Sequence, residues 1–511
     1  MSMRTPVMIG SGQLVYRGEA SQAHGLSPVT LAAQAAMRAI VDAGLPPESA
    51  AIIDVIAAVR LFSDSYVGGE HPFGRASKFP RAVAARIGAK PVRTIYGEVG
   101  GHTPQRLVNE LCDAIAEGTH DMALVVGAEA TGLLKAARRS GLVLDWSDET
   151  DGEMEDRGLG KPLVNRAEAR HRLFAPVNVY ALIEHAQRVR YGRSRAEHQR
   201  VMAALFSGFS AVASGNPYAQ FPTVRDQTFL STVSADNYLV SDPFTKWLVA
   251  QDAVNQGAAV LITSQAMADQ LGVASDRRVY LHGYADADDV CVSERPSIGE
   301  SRALKWAARK AFEAAQASAA KTRHFDFYSC FPCAVSAACE AFEVEASPGR
   351  PLTVTGGLPF FGGAGNSYSL FAIAEMVTTL RRDRGSQGVV SANGGYLSKQ
   401  SVGIYGTTAP SRLWQRVEGE DLTQQLRRDA VSVAAISSGH GIIETFTVDF
   451  QNGKPAIGWA LGRLHDADQR FIAQVSRGDN DTLAGLLTGE PIGRQVIVDA
   501  GEKFNSFRFT D

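Results

Sequence analysis

Apolar residues along the chain fall into two spacings: short continuous runs that predict buried strands, and runs at i, i+3, i+4 and i+7 that predict helices packed on one face. From the N-terminus they read strand Val7 to Gly10, helix Pro28 to Ala43, a second strand, and an amphipathic helix that ends at Arg86 with the glycine of AARIGAK as its stop. Strand Arg93 to Gly97, helix Pro104 to Glu117 and strand Met122 to Gly127 follow. The order then returns. Strand Val279 to Gly283 precedes helix Ser301 to Ala320, Pro351 to Gly356 predicts a strand, Tyr368 to Leu380 a helix, and Gly388 to Ser391 a strand. Alternation of this kind predicts a mostly parallel sheet covered on both faces, and its recurrence predicts two similar α/β halves.

Two stretches break the pattern. From Glu129 to Tyr238 charge and glycine rise across SDETDGEMEDRGLG, and helices Val179 to Tyr191 and Arg195 to Ser214 appear with no strand between them. This reads as an insertion in the first half, either a lid over a site or a buttress for a second subunit. The sheet is expected to resume within Asp236 to Gly272, where GAAVLITS is a buried strand. Beyond Arg412 come short β-rich runs at Val431 to Ser437, Ile442 to Phe450, Ile457 to Leu464, Arg470 to Ser476, Gln495 to Asp499 and Phe504 to Phe509, with one helical piece at Thr482 to Thr488. They predict a small barrel of oligonucleotide-binding type. The expected units are 1–272 with the insertion at about 129–238, then 273–411 and 412–511.

Composition narrows the class. The 511 residues are 45% hydrophobic and 21% charged with net charge −3, which asks for neither nucleic acid nor an anionic membrane, and the barrel has no basic face. No apolar run reaches the ~18 residues of a membrane span, and Met1 to Arg17 lacks the features of a signal peptide, so a cytoplasmic protein is expected. Cys112, Cys291, Cys330, Cys333 and Cys339 are an odd set that fits reduced thiols.

Both halves carry a glycine turn between a strand and a helix: Gly97, Gly100 and Gly101 in the first, GGLPFFGGAG in the second, with Asn393-Gly394-Gly395 closing the last strand. Such turns leave helix-start N–H groups uncovered, so an anion or a carbonyl oxygen can approach. In a duplicated fold the like turns face each other.

YLVSDPFTKWLVAQDAVNQGAAVLITS, YSCFPCAV, GGLPFFGGAGNSYS and SANGGYLSK together resemble the thiolase superfamily, in its sterol-carrier-protein-2-type and acetyl-CoA acetyltransferase-like branch. The resemblance covers Pro6 to about Gly406, and the barrel is similar to an additional C-terminal domain of a thiolase-like subgroup. It implies a fold of two βαβαβαββ halves layered α-β-α-β-α, CoA thioesters as ligands, no permanently bound cofactor, and either a homodimer formed through the first-half sheet edge or a monomer.

The family's catalytic residues do not carry over. Gly101 stands near the position of the nucleophilic cysteine, Gly362-Gly363-Ala364 at the Gly-His-Pro turn, Ala392-Asn393-Gly394 at Cys-x-Gly, and Tyr328-Ser329-Cys330-Phe331 at the block that holds a catalytic water. The candidates that remain are His102, a base or donor if not a capping residue; Tyr328, a proton donor if not a core tyrosine; and Cys330, expected to begin a helix and there to have an acidic thiol if not merely buried. Asn366 and Asn393 could orient a carbonyl or simply occupy turns, while Gly100, Gly101, Gly362, Gly363 and Gly394 would line the substrate. Proline inside Cys330-Phe331-Pro332-Cys333 and the lack of a second pair argue against zinc. Three functions fit: an acyltransferase on CoA thioesters that does not use two cysteines, a retro-aldol lyase on 3-hydroxyacyl-CoA, or a non-catalytic acyl-CoA binder.

Overall fold

A six-stranded and a four-stranded sheet carry the two halves. The computed structural model describes residues 4–23, 25–345, 350–411, 414–417 and 420–510. The first half runs β1 (Pro6–Val15), α1 (Pro28–Asp42), β2 (Val55–Ala58), α2 (Phe79–Ile87), β3 (Arg93–Tyr96), α3 (Thr103–Glu117) and β4 (Met122–Glu129). Local chemistry sets these bounds. The Ser27 side chain accepts the Thr30 N–H with Pro28 at the first helical position, and Gly88, at φ 74°, stops α2. β2 pairs in parallel with both β3 and β4.

After β4 the chain leaves the half through α4 (Thr131–Ser140), β5 (Glu155–Asp156), α5 (Arg166–Arg170), α6 (Pro176–Arg190), α7 (Arg195–Gly215), α8 (Gln227–Ser231) and the hairpin β6 (Leu239–Ser241) and β7 (Phe244–Thr245). It returns at β8 (Gln256–Ser264) and α9 (Gln265–Gln270). The first-half sheet therefore resumes at Gln256. The hairpin expected to belong to it joins the barrel instead, because Ser241 pairs with Asp449, its hydroxyl meets that of Thr447 at 2.8 Å, and the Asp242 N–H donates to Val448 O at 2.9 Å. β5 lies along the outer edge of β3, pinned by Arg93 to Glu155 at 2.8 Å and Arg157 to Glu110 at 2.7 Å.

The second half runs β9 (Tyr280–Asp288), α10 (Arg302–Ala315), β10 (His324–Phe327), α11 (Pro332–Phe342), α12 (Tyr368–Arg382), β11 (Gln387–Gly394) and β12 (Lys399–Gly406), ordered β10-β11-β12-β9. α10 stops short of Ala320 because Gln316 turns left-handed at φ 50°. Residues 351–356 do not form the expected strand. The buried carboxylate of Asp326 takes the N–H groups of Val354 and Thr355, both at 3.0 Å, and the hydroxyls of Thr353 and Thr355, so the donors of a ladder point at a side chain. α3 and α12 lie between the two sheets, with α1 and α2 outside the first and α10 and α11 outside the second, giving α-β-α-β-α. α12 is accordingly buried nearly all round.

The C-terminal segment comprises α13 (Glu420–Arg428), β13 (Val433–Ala434), β14 (Gly439–Gln451), β15 (Lys454–Leu464), β16 (Arg470–Val475), α14 (Asn480–Leu487), β17 (Gln495–Asp499) and β18 (Ser506–Phe509). Pairing in the cycle β14-β15-β16-β18-β17-β14 closes a five-stranded barrel around Phe446, Val448, Phe471 and Phe507. The expected strand at 431–437 shrinks to two residues because the Val431 N–H goes to Glu294 O and that of Ser437 to the Asn505 side chain. The expected boundary at Arg412 lies outside the described residues. Among the described residues no helix is long and apolar enough to cross a membrane.

Candidate functional site

The two glycine turns are stitched directly together. Gly100, at φ 139°, donates its N–H to Asn366 Oδ1 at 3.0 Å, and the Asn366 amide donates to Arg60 O and to the Ser65 hydroxyl. Ser369 donates its hydroxyl to Gly101 O at 2.6 Å. On the second turn Gly362 sits at φ 127°, and the Gly363 N–H donates to Gln251 O at 2.7 Å. The neighbouring Ala250 donates to Cys330 O at 3.0 Å. The turns and the segment after β10 thus meet in one place, at the ends of strands where α/β folds put their ligands.

Tyr328 decides what that place can do. A Cβ built on Gly101 would lie 2.2 Å from the Tyr328 hydroxyl oxygen and 2.5 Å from the ring carbon bearing it, so the phenol fills the space a side chain at 101 would enter. The ring stands edge-on to Tyr368 at 5.4 Å, and Tyr328 keeps part of its surface accessible while Phe327 and Ser329 are buried. Burial, with a smaller push from Cys330, raises its pKa far above the ordinary phenol value, so it stays protonated.

Cys330 is not at a helix start. α11 begins at Pro332 after Phe331, and the thiol is pushed up to about 12 by burial, against partial relief from hydrogen bonds with Tyr180 and Asn393. It is a neutral thiol. Asn393 donates to the Tyr180 hydroxyl at 2.8 Å, approaches the Cys330 sulfur at 3.8 Å, and accepts from Gln400 at 3.2 Å. Tyr180 in turn donates to Gly395 O, accepts the Leu397 N–H, and stacks on Phe331 at 4.4 Å. Tyr180 comes from α6, so the insertion supplies part of the site wall. Nothing in its helical surroundings in the sequence sets it apart from a core tyrosine.

His102 is fully enclosed. Its Nε2 faces Glu98 at 3.2 Å, and Glu98 also meets Arg106 at 2.9 Å and Lys399 at 3.5 Å. Its Nδ1 has no partner and lies 2.5 and 2.3 Å from where Cβ atoms on Gly100 and Gly394 would stand, so the imidazole is wedged between the two glycines and only glycine fits at either. Burial, then Arg106, hold His102 down to about 4. Burial opposes ionisation of Glu98, but His102, Lys399 and Arg106 outweigh it and hold the carboxyl down to about 2. Among the described residues no cluster of His, Cys, Asp or Glu could hold a metal. The arrangement offers neutral donors and no anionic nucleophile.

A sequence family described as the thiolase-like protein type 1 additional C-terminal domain matches residues 421–503. Among solved structures, the chain is similar over its full length to a monomeric SCP2-thiolase like protein type 1 from Mycobacterium smegmatis, at 36% identity over 100% of each chain and a TM-score of 0.85. It is similar in fold to the acetyl-CoA acetyltransferase of Syntrophomonas wolfei, at 17% identity over 79% of this chain and 99% of that one (TM-score 0.53). The dimeric peroxisomal thiolase of Saccharomyces cerevisiae shares that fold too, at 14% identity over 79% and 98% (TM-score 0.56). No curated protein matches the chain in sequence.

Proposed function

The chain belongs to the SCP2-thiolase-like proteins of type 1 in the thiolase superfamily, and from that premise we propose that it handles CoA thioesters, making or breaking a carbon–carbon bond next to the thioester without an acyl-enzyme. The observation that carries this reading is the Tyr328 phenol in the volume of a side chain at Gly101. A nucleophile would need that volume. A neutral phenol suits a proton donor instead.

In the retro-aldol direction the bond between the α- and β-carbons of a 3-hydroxyacyl-CoA breaks and its electron pair passes into the thioester as an enolate. The hydroxyl proton ends on the α-carbon by way of Tyr328, and the products are a carbonyl compound and a shortened acyl-CoA. No external reagent is consumed. Asn393 and Tyr180 hold the wall, Gly100 and Gly394 make room for His102 and Gly101 for Tyr328, and His102 and Asn366 position the turns. CoA enters as part of the substrate, not as a resident cofactor. Incubation with a 3-hydroxyacyl-CoA, and separately with acetoacetyl-CoA and CoA, followed by intact-mass analysis, tests this. Cleavage without an acyl adduct, falling about 100-fold in Tyr328→Phe, is expected; an acyl-enzyme, or full turnover in that variant, overturns it.

A second reading, an acyl-CoA binder without turnover, draws on the neutrality of Tyr328, Tyr180, Cys330 and His102 near pH 7. Calorimetric binding of acyl-CoA by a preparation inert to both substrates would select it. We also read the protein as a monomer, because β5 occupies part of the edge of β3, and as cytoplasmic, where its five unpaired thiols stay reduced.

A further inference from the structure

β4 ends on Glu129, against the second glycine turn. A Cβ on Gly365, which is left-handed at φ 52°, would strike Glu129 Oε1, and the Phe62 Cβ lies 3.0 Å from the same point. Oε1 also accepts the Phe62 N–H at 2.7 Å. Gly365 precedes Asn366, and residues 60–65 supply both acceptors of the Asn366 amide, Arg60 O at 2.9 Å and the Ser65 hydroxyl at 2.8 Å. Asn366 Oδ1 in turn takes the Gly100 N–H. Glu129 thus supports, from below, both segments that hold Asn366 against the first turn.

That support needs an acceptor and not an acid, and the surroundings disfavour a charge. Glu129 is 3% exposed. The cations around it are taken by other carboxylates: Arg138 by Glu70, Lys135 by Asp252 at 2.5 Å, and His71 and Arg75 by Asp64 at 3.1 and 3.5 Å. Burial, reinforced by Asp64 and Asp252 against the pull of the Phe62 N–H, pushes the Glu129 carboxyl up to about 8. Beside it lies a cavity of about 40 Å³, room for about two waters, with Glu70, His71 and Arg75 also on its wall. An ionised Glu129 is drawn toward that water and those cations, away from Gly365 and Phe62.

We propose that Glu129 is a positioning residue that couples the two glycine turns through its proton: the carboxylic acid supports Gly365 and Phe62 and so keeps Asn366 on Gly100, and the carboxylate withdraws into the cavity and releases them. The effect on turnover rests on the thioester reading above; the coupling of the turns does not. Hydrogen exchange read by mass spectrometry and the pH profile of 3-hydroxyacyl-CoA cleavage test it on the full chain. Corrected for intrinsic exchange, protection of residues 97–102 should fall ~10-fold between pH 7 and pH 9.5 in the parent and stay level in Glu129→Gln, which keeps the acceptor and cannot ionise. In the parent kcat should fall ~10-fold per pH unit above about 8, and this limb should be missing from Glu129→Gln. Tyr328 and Cys330 keep their protons and His102 stays neutral over that range, so none of them supplies the limb. Protection that is level in the parent, protection that falls alike in both proteins, or an alkaline limb that survives in Glu129→Gln overturns the proposal. Protection that behaves as expected in a preparation inert to the thioester upholds the coupling and counts against the thioester reading alone.

Discussion

The hydroxyl oxygen of Tyr328 lies 2.2 Å from the point where a Cβ on Gly101 would project, so the two positions share one volume. Restoring a cysteine at 101 therefore does not restore a nucleophile. Gly101→Cys should lower stability by about 1–3 kcal/mol through overpacking. Adding Tyr328→Ala should recover ~1 kcal/mol or more as a favourable coupling in a double-mutant cycle of urea unfolding. A single variant as stable as the parent would contradict the shared volume.

His102 gives stability an acid slope. Its folded value of about 4 lies below the ~6.5 of an unfolded histidine, so between those values the unfolded chain binds the extra proton. The contribution is whole above pH ~6.5 and is lost as pH falls toward 4, by up to about 3 kcal/mol. His171 and His185 are depressed in the same direction by burial, so His102→Asn should flatten part of the fall in urea midpoint between pH 7 and pH 4.5.

Glu129 acts with the opposite sign. Burial pushes this carboxyl up to about 8, and it accepts the Phe62 N–H at 2.7 Å. The folded chain binds the extra proton between the ordinary carboxylate range and pH 8, so this contribution is present in acid and is lost as pH rises through 8. Glu129→Gln keeps the acceptor and removes the titration. It should match the parent near pH 4.5 and exceed it by about 4 kcal/mol near pH 8.5 in chemical denaturation.

Sedimentation at micromolar concentration should give a single monomeric species, since β5 pairs with Ile95 and Tyr96 and covers that part of the edge of β3. The half-exposed pairs that pin β5 are each worth about 0–1 kcal/mol, so Arg93→Glu with Arg157→Glu should loosen the strand and promote association. A parent dimer would refute the capped edge.

Arg470 is buried and binds the carbonyls of Ser293 and Arg295 and the carboxylate of Glu444. Arg470→Met should cost about 1–3 kcal/mol by leaving the two buried carbonyls without that donor while Glu444 keeps Arg463, read as a fall in melting temperature.

The repeat of spacings makes the two halves and the barrel legible in the sequence, because periodicity reports burial and burial follows the layers. What escapes is set by single side chains across long separations. Asp326 draws off the donors of 351–356, and Thr447 and Val448 recruit residues 239–245 to the barrel. The candidate site is legible only in its backbone. Its glycine turns, with Asn366 and Asn393, are visible as departures from helix and strand composition, whereas Tyr180 is an ordinary helical aromatic until α6 carries it to Asn393. Of the two alternatives for Cys330 the buried one holds: the helix opens at Pro332, and burial pushes the thiol up to about 12.

Ser241 and Asp242 complete a sheet whose other strands lie some two hundred positions later in the chain. On a ribosome the middle of the polypeptide therefore waits, with that hairpin unmatched, until nearly the whole message has been read, and premature termination within the barrel leaves an open β edge for other nascent chains to find.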